Sequence, residues 1–314
     1  MSKHLKYIRL LTIALGFLLT LFLFLPLYEI GGTKYFAFLV IFGLSNSSFD
    51  IFSLITFLLP SIASLILLIK KKNLELVSFL LFLLSSFAFL FINDFNAYVN
   101  KDSLFEIIKS IQIILIILGF LNVLLTFSIA LEKESFKTKD IVEMALFIAL
   151  AVILDLPGLK IRVGIAGGSI SLTMVPLLLF SLRHGPLKGF LASGVIYGFL
   201  TNILDGWGFV YYPIDYLLGY GAMSLIGFFK VFILDVNNKR FTIKGALFLV
   251  IGALVAIVAR LMFATLSGIV YYEYTFWASF VYNVTYLLPS AVIVIVALLI
   301  LYVPFIRLHF NSLK

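Results

Sequence analysis

Apolar runs of bilayer length recur along the whole chain, and they restrict it to a fold that lives inside a membrane. A helix needs about 20 predominantly apolar residues to cross the hydrocarbon core, because each residue advances it by only about 1.5 Å. Ten runs are read, at roughly 10–27, 51–69, 74–93, 107–131, 141–156, 170–182, 189–204, 214–230, 245–270 and 279–304. The sixth is short and contains Pro176, so a tilted, kinked or incompletely spanning segment is expected there. Hydrophobic residues make up 63% of the 314 and charged residues 12%. Backbone groups in lipid must be satisfied within the segment, which favours helices. The expected fold is all-α integral membrane, with about ten transmembrane helices.

The net charge of +8 invites a nucleic-acid reading, and its distribution argues against one. With the N-terminus inside, 17 of the 23 Lys and Arg residues fall on one side of the membrane, including Lys3, Lys6, Arg9, Arg183, Lys188, Lys230 and Lys244. Cytoplasmic loops carry such an excess, so both termini are expected to be cytoplasmic in a multi-pass protein of the cell membrane. These residues encode orientation and contact with the lipid bilayer, with no nucleic-acid partner. The basic start before an apolar run looks like a signal peptide. The run is long and no small-residue cleavage site follows Leu27-Tyr28-Glu29, so an uncleaved first span is expected. No cysteine is present, which excludes disulfides, thiol catalysis and cysteine-ligated metal.

The densest charge run, Glu132 to Asp140, reads as a cytoplasmic linker over 132–140. It separates a four-helix membrane unit over 1–131 from a six-helix unit over 141–310. The first unit is rich in Leu, Phe and Ile. It has a polar outer loop at 28–50, no charge within a span and no chemical constellation, so packing or assembly is its expected role. The second concentrates Gly, Tyr and Pro, which accompany close helix packing and broken helices. Gly167-Gly168-Ser169 opens a polar turn that runs through Pro176 into the short apolar segment and then into the basic loop Arg183-His184-Gly185. Irregular backbone beside a membrane is tolerated only where protein or a water-lined cavity satisfies it. A loop folded over a cavity follows, and a cavity suggests a cargo.

Candidate binding residues cluster in the same unit. Asp215 and Gly219 share a helix face, as do Tyr216 and Tyr220. The patch offers a carboxylate for a cation and phenols to stack on it; the alternative is an interfacial aspartate in water. Arg260 lies deeper, where an ionisable residue costs about 2.5–3.5 kcal/mol on insertion scales and needs a partner, Asp215 or Asp155. It either meets a ligand or forms a structural ion pair. Tyr282, Asn283 and Tyr286 form one face at helical spacing, for ligand contact or interhelical hydrogen bonding. Tyr272 belongs to a crowd of outer aromatics that includes Trp207 and Trp277, most of them an interfacial belt. Ala145 and Ala149 make a small-xxx-small pair that lets another helix approach. No phosphate-binding loop and no His-Glu-x-x-His occurs, and His4, His184 and His309 are dispersed, so no catalytic residue, metal or cofactor is assigned.

The second unit resembles the substrate-binding S-component of energy-coupling factor (ECF) vitamin transporters, closest to the thiamine-specific group. The resemblance rests on Gly167 to Pro176, Leu182-Arg183-His184-Gly185 with Gly189, Gly194 to Gly198, Pro213 to Tyr220, and Tyr282-Asn283 through Pro289, over roughly 139–305. It implies six helices around a vitamin site near the outer face, with Gly167, Gly168 and Ser169 in a loop lid. It implies Ala145 and Ala149 as a docking face for a transmembrane scaffold subunit, and two ATPase subunits that hydrolyse ATP in place of this chain. The family's acid–tyrosine pair falls on Asp215-Tyr216 or, one turn on, on Gly219-Tyr220. A family histidine falls near Ala264, and Tyr272 stands where tryptophan is frequent. The expected cargo is thiamine or a related aromatic cation, with riboflavin or a nucleobase as alternatives. A membrane assembly or regulatory protein without cargo is the other class of function.

Overall fold

The computed structural model describes residues 3–44, 49–69, 72–99, 106–132, 135–163, 168–234 and 241–311. Gly167, Lys133 and Glu134 lie outside these residues. The chain divides into two compact units, Met1–Ser135 and Phe136–Lys314, each with its own apolar core.

The first unit contains α1 (Lys3–Leu21), the short α2 (Ala37–Ile41), α3 (Ile51–Leu68), α4 (Lys72–Val99) and α5 (Lys109–Glu132). The long helices pack through small hydroxyl residues as well as Leu and Phe. Ser64 Oγ donates to the Ile13 carbonyl at 3.2 Å, and Ser78 Oγ to the Ala63 carbonyl at 2.9 Å. Interhelical hydrogen bonds of this kind act where hydrophobic burial alone gives no preference between lipid and protein. Part of the loop expected at 28–50 forms a hairpin. β1 (Pro26–Ile30) pairs antiparallel with β2 (Thr33–Phe36) across Gly31-Gly32, and β3 (Glu106–Ile107) adds to the other edge of β1. Tyr28 in β1 is fully buried and donates to Ser53 Oγ at 3.1 Å, which anchors the sheet to α3.

A second departure concerns charge. None is expected within a span of this unit, yet Arg9 of α1 and Glu75 of α4, the latter inside the run at 74–93, form a buried ion pair, their side chains 4% and 1% exposed. Arg9 Nη1 also donates to the Leu67 carbonyl at 2.7 Å. The excess of basic residues on the cytoplasmic side explains Arg9 as a topology signal and so hides its partner.

In the second unit α6 (Thr138–Leu154) leads to the hairpin of β4 (Ile161–Val163) and β5 (Gly168–Ile170). Then come α7 (Met174–His184), α8 (Pro186–Asp205), α9 (Phe209–Ile233), α10 (Ile243–Tyr272) and α11 (Phe276–Asn311). All nine residues from Met174 to Leu182 are buried. A helix apolar all round is a core helix, which is why this segment is short yet strongly apolar. Pro176 sits in its first turn, where an N–H has no intrahelical acceptor in any case; no kink is needed. At the other end of the bundle, Asp140 accepts from Lys188 Nζ at 2.7 Å, and Glu143 pairs with Arg183 at 2.8 Å, pinning α6 to the α7–α8 corner.

Among the described residues seven helices are long and apolar enough to cross a bilayer: α1, α3, α5, α8, α9, α10 and α11. The apolar part of α4, Val77–Phe89, is shorter, as are α7 and the 17-residue α6. The protein is an all-α, multi-pass membrane protein with small sheets outside its helices.

Candidate functional site

Five helices and one hairpin of the second unit contribute to the lining of a cavity of about 100 Å³. α10 contributes Arg260, Ala264, Ser267 and Gly268, the i, i+4, i+7, i+8 face of a helix. α11 contributes Ser279, Tyr282, Asn283 and Tyr286 by the same periodicity. α9 contributes Tyr211, Asp215, Tyr216 and Tyr220. Gly168 and Ser169 come from β5, Asp155 and Lys160 from the end of α6 and the segment after it, and Asp205 and Trp207 from the end of α8.

Asp215 and Tyr216 do not lie on a plain α-helix. Tyr212–Leu218 is a wide π-helical turn, and Leu191–Tyr197 of α8 is another. Such turns re-aim side chains and gather at functional sites. The face shared by Asp215 and Gly219 is therefore redrawn. Tyr216 and Tyr220 remain neighbours, with ring centroids 6.3 Å apart. The two wide turns meet backbone to backbone: a Cβ on Gly194 would lie 2.6 Å from the Leu217 carbonyl oxygen, so only glycine permits the crossing.

The hairpin is tied down by α11. Tyr282 Oη accepts from the Gly168 N–H at 3.0 Å and donates to the Val163 carbonyl at 3.3 Å. The Ser171 N–H donates to Ser290 Oγ at 3.4 Å. A Cβ on Gly168 would sit 2.5 Å from Tyr286 Cδ1 and 3.0 Å from Tyr282 Oη. Gly168→Ala is therefore expected to lift the hairpin and weaken binding at the cavity about tenfold, the scale of a 1–3 kcal/mol overpacking cost. Limited proteolysis between β4 and β5 checks the lifting directly.

Asn283 holds the α11 face together. Its Oδ1 accepts from Tyr286 Oη, and its Nδ2 donates to the Ser279 carbonyl at 2.8 Å and to Ser279 Oγ at 3.3 Å. Arg260 corrects the sequence reading. It forms no ion pair with Asp215 or Asp155; its guanidinium lies over the Tyr220 ring, 3.8 Å from the centroid, and its buried Nη1 makes no hydrogen bond. A ring face can hold a cation in place of a carboxylate. Asp155 is engaged elsewhere, 3.1 Å from Lys160 Nζ.

Of the residues picked out in the sequence, Asp215, Tyr216, Tyr220, Arg260, Tyr272, Tyr282, Asn283, Tyr286, Gly168 and Ser169 all border this cavity. Ala145 and Ala149 do not; both are exposed on α6 beside Leu146 and Leu150. Trp277 is 70% exposed and off the lining, whereas Trp207 is on it. Sequence reasoning missed Lys160, Asp205 and Ser267. Asp205 had a signal in the Asp205-Gly206-Trp207-Gly208 turn that ends α8, and Ser267 in its spacing of seven from Arg260. The lining carries three carboxylates, Asp155, Asp205 and Asp215, against two cations, Lys160 and Arg260. Such a balance favours a cationic or zwitterionic guest over an anion.

Residues 141–310, more than half of the chain, match the family described as Thiamine transporter protein (Thia_YuaJ). The chain belongs to that family. Over 187 residues it is 32% identical to the thiamine transporter ThiT of Bacillus subtilis (strain 168); the alignment spans 56% of this chain and 96% of the relative. No solved structure matches the chain significantly. The thiamine transporter match runs from α6 to α11 and takes in every residue that lines the cavity, and none of the first unit's four long helices.

Proposed function

We propose that the second unit is the substrate-capture subunit of an ECF-type importer, and that its cargo is thiamine. The observation that carries the reading is the cavity in the family-matched unit, lined by Asp215 among tyrosines and holding one more carboxylate than cations. Thiamine offers a permanently positive thiazolium ring for Asp215 and a flat, donor-bearing pyrimidine for the phenols. Asn283 fixes the Tyr286 ring, Tyr282 holds the hairpin lid, and Arg260 offers Nη1 to an acceptor on the cargo. Tyr272, 5.6 Å from the Tyr211 ring, extends the aromatic wall.

The chain captures and partners drive. A transmembrane scaffold subunit docks on the exposed Ala145/Ala149 stripe of α6, and two ATPase subunits supply the hydrolysis. The protein sits in the cell membrane with both termini cytoplasmic. That orientation puts the cavity-bearing helix ends on the outer side, where a captured solute arrives.

Binding is tested by titrating thiamine into the purified chain and following the fluorescence of Trp207, which lines the cavity. Saturable quenching that is lost in Trp207→Phe but kept in Trp277→Phe is expected; no response to thiamine by fluorescence or calorimetry would defeat the reading. Docking is tested by Ala145→Trp with Ala149→Trp. Thiamine binding is expected to persist while co-purification with the scaffold and ATPase subunits is lost.

A further inference from the structure

The cavity lining holds an ion cluster drawn from two separate stretches of the chain, 155–160 and 205–216. Lys160, in the segment between α6 and β4, puts its Nζ 3.1 Å from Asp155 Oδ1 and 3.8 Å from Asp205 Oδ1. Tyr216 Oη donates to Asp205 Oδ2 at 3.1 Å. All four residues border the cavity, and the Lys160 and Asp155 side chains are only 10% and 13% exposed. An ammonium held between two carboxylates beside a binding site is itself arranged as a bound cation would be.

We propose that Lys160 is a tethered stand-in for the positive charge of the cargo, and that it sets the site's selectivity for cations by exchanging with it. The proposal rests on the reading of a cationic cargo. The Lys160 ammonium offsets the charge of the two carboxylates it touches. A second cation arriving while it stays there meets like charge at close range in a partly desolvated site, where that repulsion is poorly screened. Lys160 has a way out. It lies in the short segment between α6 and β4 and carries a compact ammonium on a flexible four-carbon stem. Arg260 has none, since it is fixed within α10 against Tyr220. Entry of the cargo cation displaces Lys160 toward solvent and leaves Asp155 and Asp205 to balance the newcomer. A neutral guest displaces nothing and gains nothing from these carboxylates.

The exchange is tested by measuring the affinity of thiamine and of its neutral thiophene isostere for the full chain and for Lys160→Met, Lys160→Arg and Asp155→Asn. Lys160→Met removes the competitor, so thiamine is expected to bind roughly tenfold tighter while the isostere is unchanged. Lys160→Arg keeps a cation beside these carboxylates and is expected to behave as the unaltered chain does. Asp155→Asn, which does not depend on how Lys160→Met folds, is expected to weaken thiamine and spare the isostere. Equal shifts for both ligands in Lys160→Met would mean that Lys160 only holds the loop, and would overturn the proposal; so would no shift for either. Failure of the unaltered chain to bind thiamine would instead overturn the functional reading, and the exchange with it.

Discussion

Asp215→Asn is expected to weaken thiamine binding by roughly 1.5–3 kcal/mol, the worth of a hydrogen bond to a charged group. That is a rise of roughly tenfold to hundredfold in Kd. Geometry singles this carboxylate out from the three on the lining. Asp155 and Asp205 are compensated by Lys160, and Asp205 also accepts from Tyr216. Asp215 is half-buried and has no Lys, Arg or His within ion-pair distance among the described residues. A desolvated carboxylate that no cation touches is a strong attractor for a cation entering the cavity. Asparagine keeps its shape and removes its charge, so packing of the wide turn is preserved. The neutral thiophene isostere is expected to bind both forms alike, and calorimetry on the two ligands separates loss of charge from loss of shape. Unchanged thiamine affinity would remove Asp215 from the site.

The helical faces of this site were legible because their periodicity is local. The face of Tyr282, Asn283 and Tyr286 is fixed by helical spacing alone once the span is recognised. What the periodicity could not supply was set by partners distant in the chain. β4 and β5 are three residues each, too short to register as alternation, and they are held by Tyr282 and Ser290 more than a hundred positions away. The wide turns of α8 and α9 depend on each other's backbone, so α-helical spacing misplaced Gly219 relative to Asp215. Arg260 was correctly taken to need a partner, and the rule that intramembrane charge seeks opposite charge pointed to a carboxylate. The partner is the face of Tyr220, a residue already noted as a phenol that could stack on a cation. The Asp155–Lys160–Asp205 cluster escaped because Asp155 was weighed only as a partner for Arg260, Lys160 entered only the count of charges, and Asp205 was not singled out.

Cutting the Arg9–Glu75 pair from one side is expected to destabilise the first unit by about 3–5 kcal/mol, the largest effect of any single change considered for this chain. Both side chains are at most 4% exposed, and Arg9 also holds the last turn of α3 through the Leu67 carbonyl. Glu75→Leu would leave a buried guanidinium with its main counter-charge gone; Arg9→Met would leave a buried carboxylate. Neither can recruit water without opening α1 away from α4. The double substitution removes both charges at once, and apolar replacements for a buried pair are commonly neutral or stabilising. Thermal unfolding in detergent should therefore show two strongly destabilised single variants and a double variant close to the unaltered chain. That non-additivity is the signature of direct coupling. If the double variant is as unstable as the sum of the singles, each residue acts through other contacts, and the pair is not what joins α1 to α4.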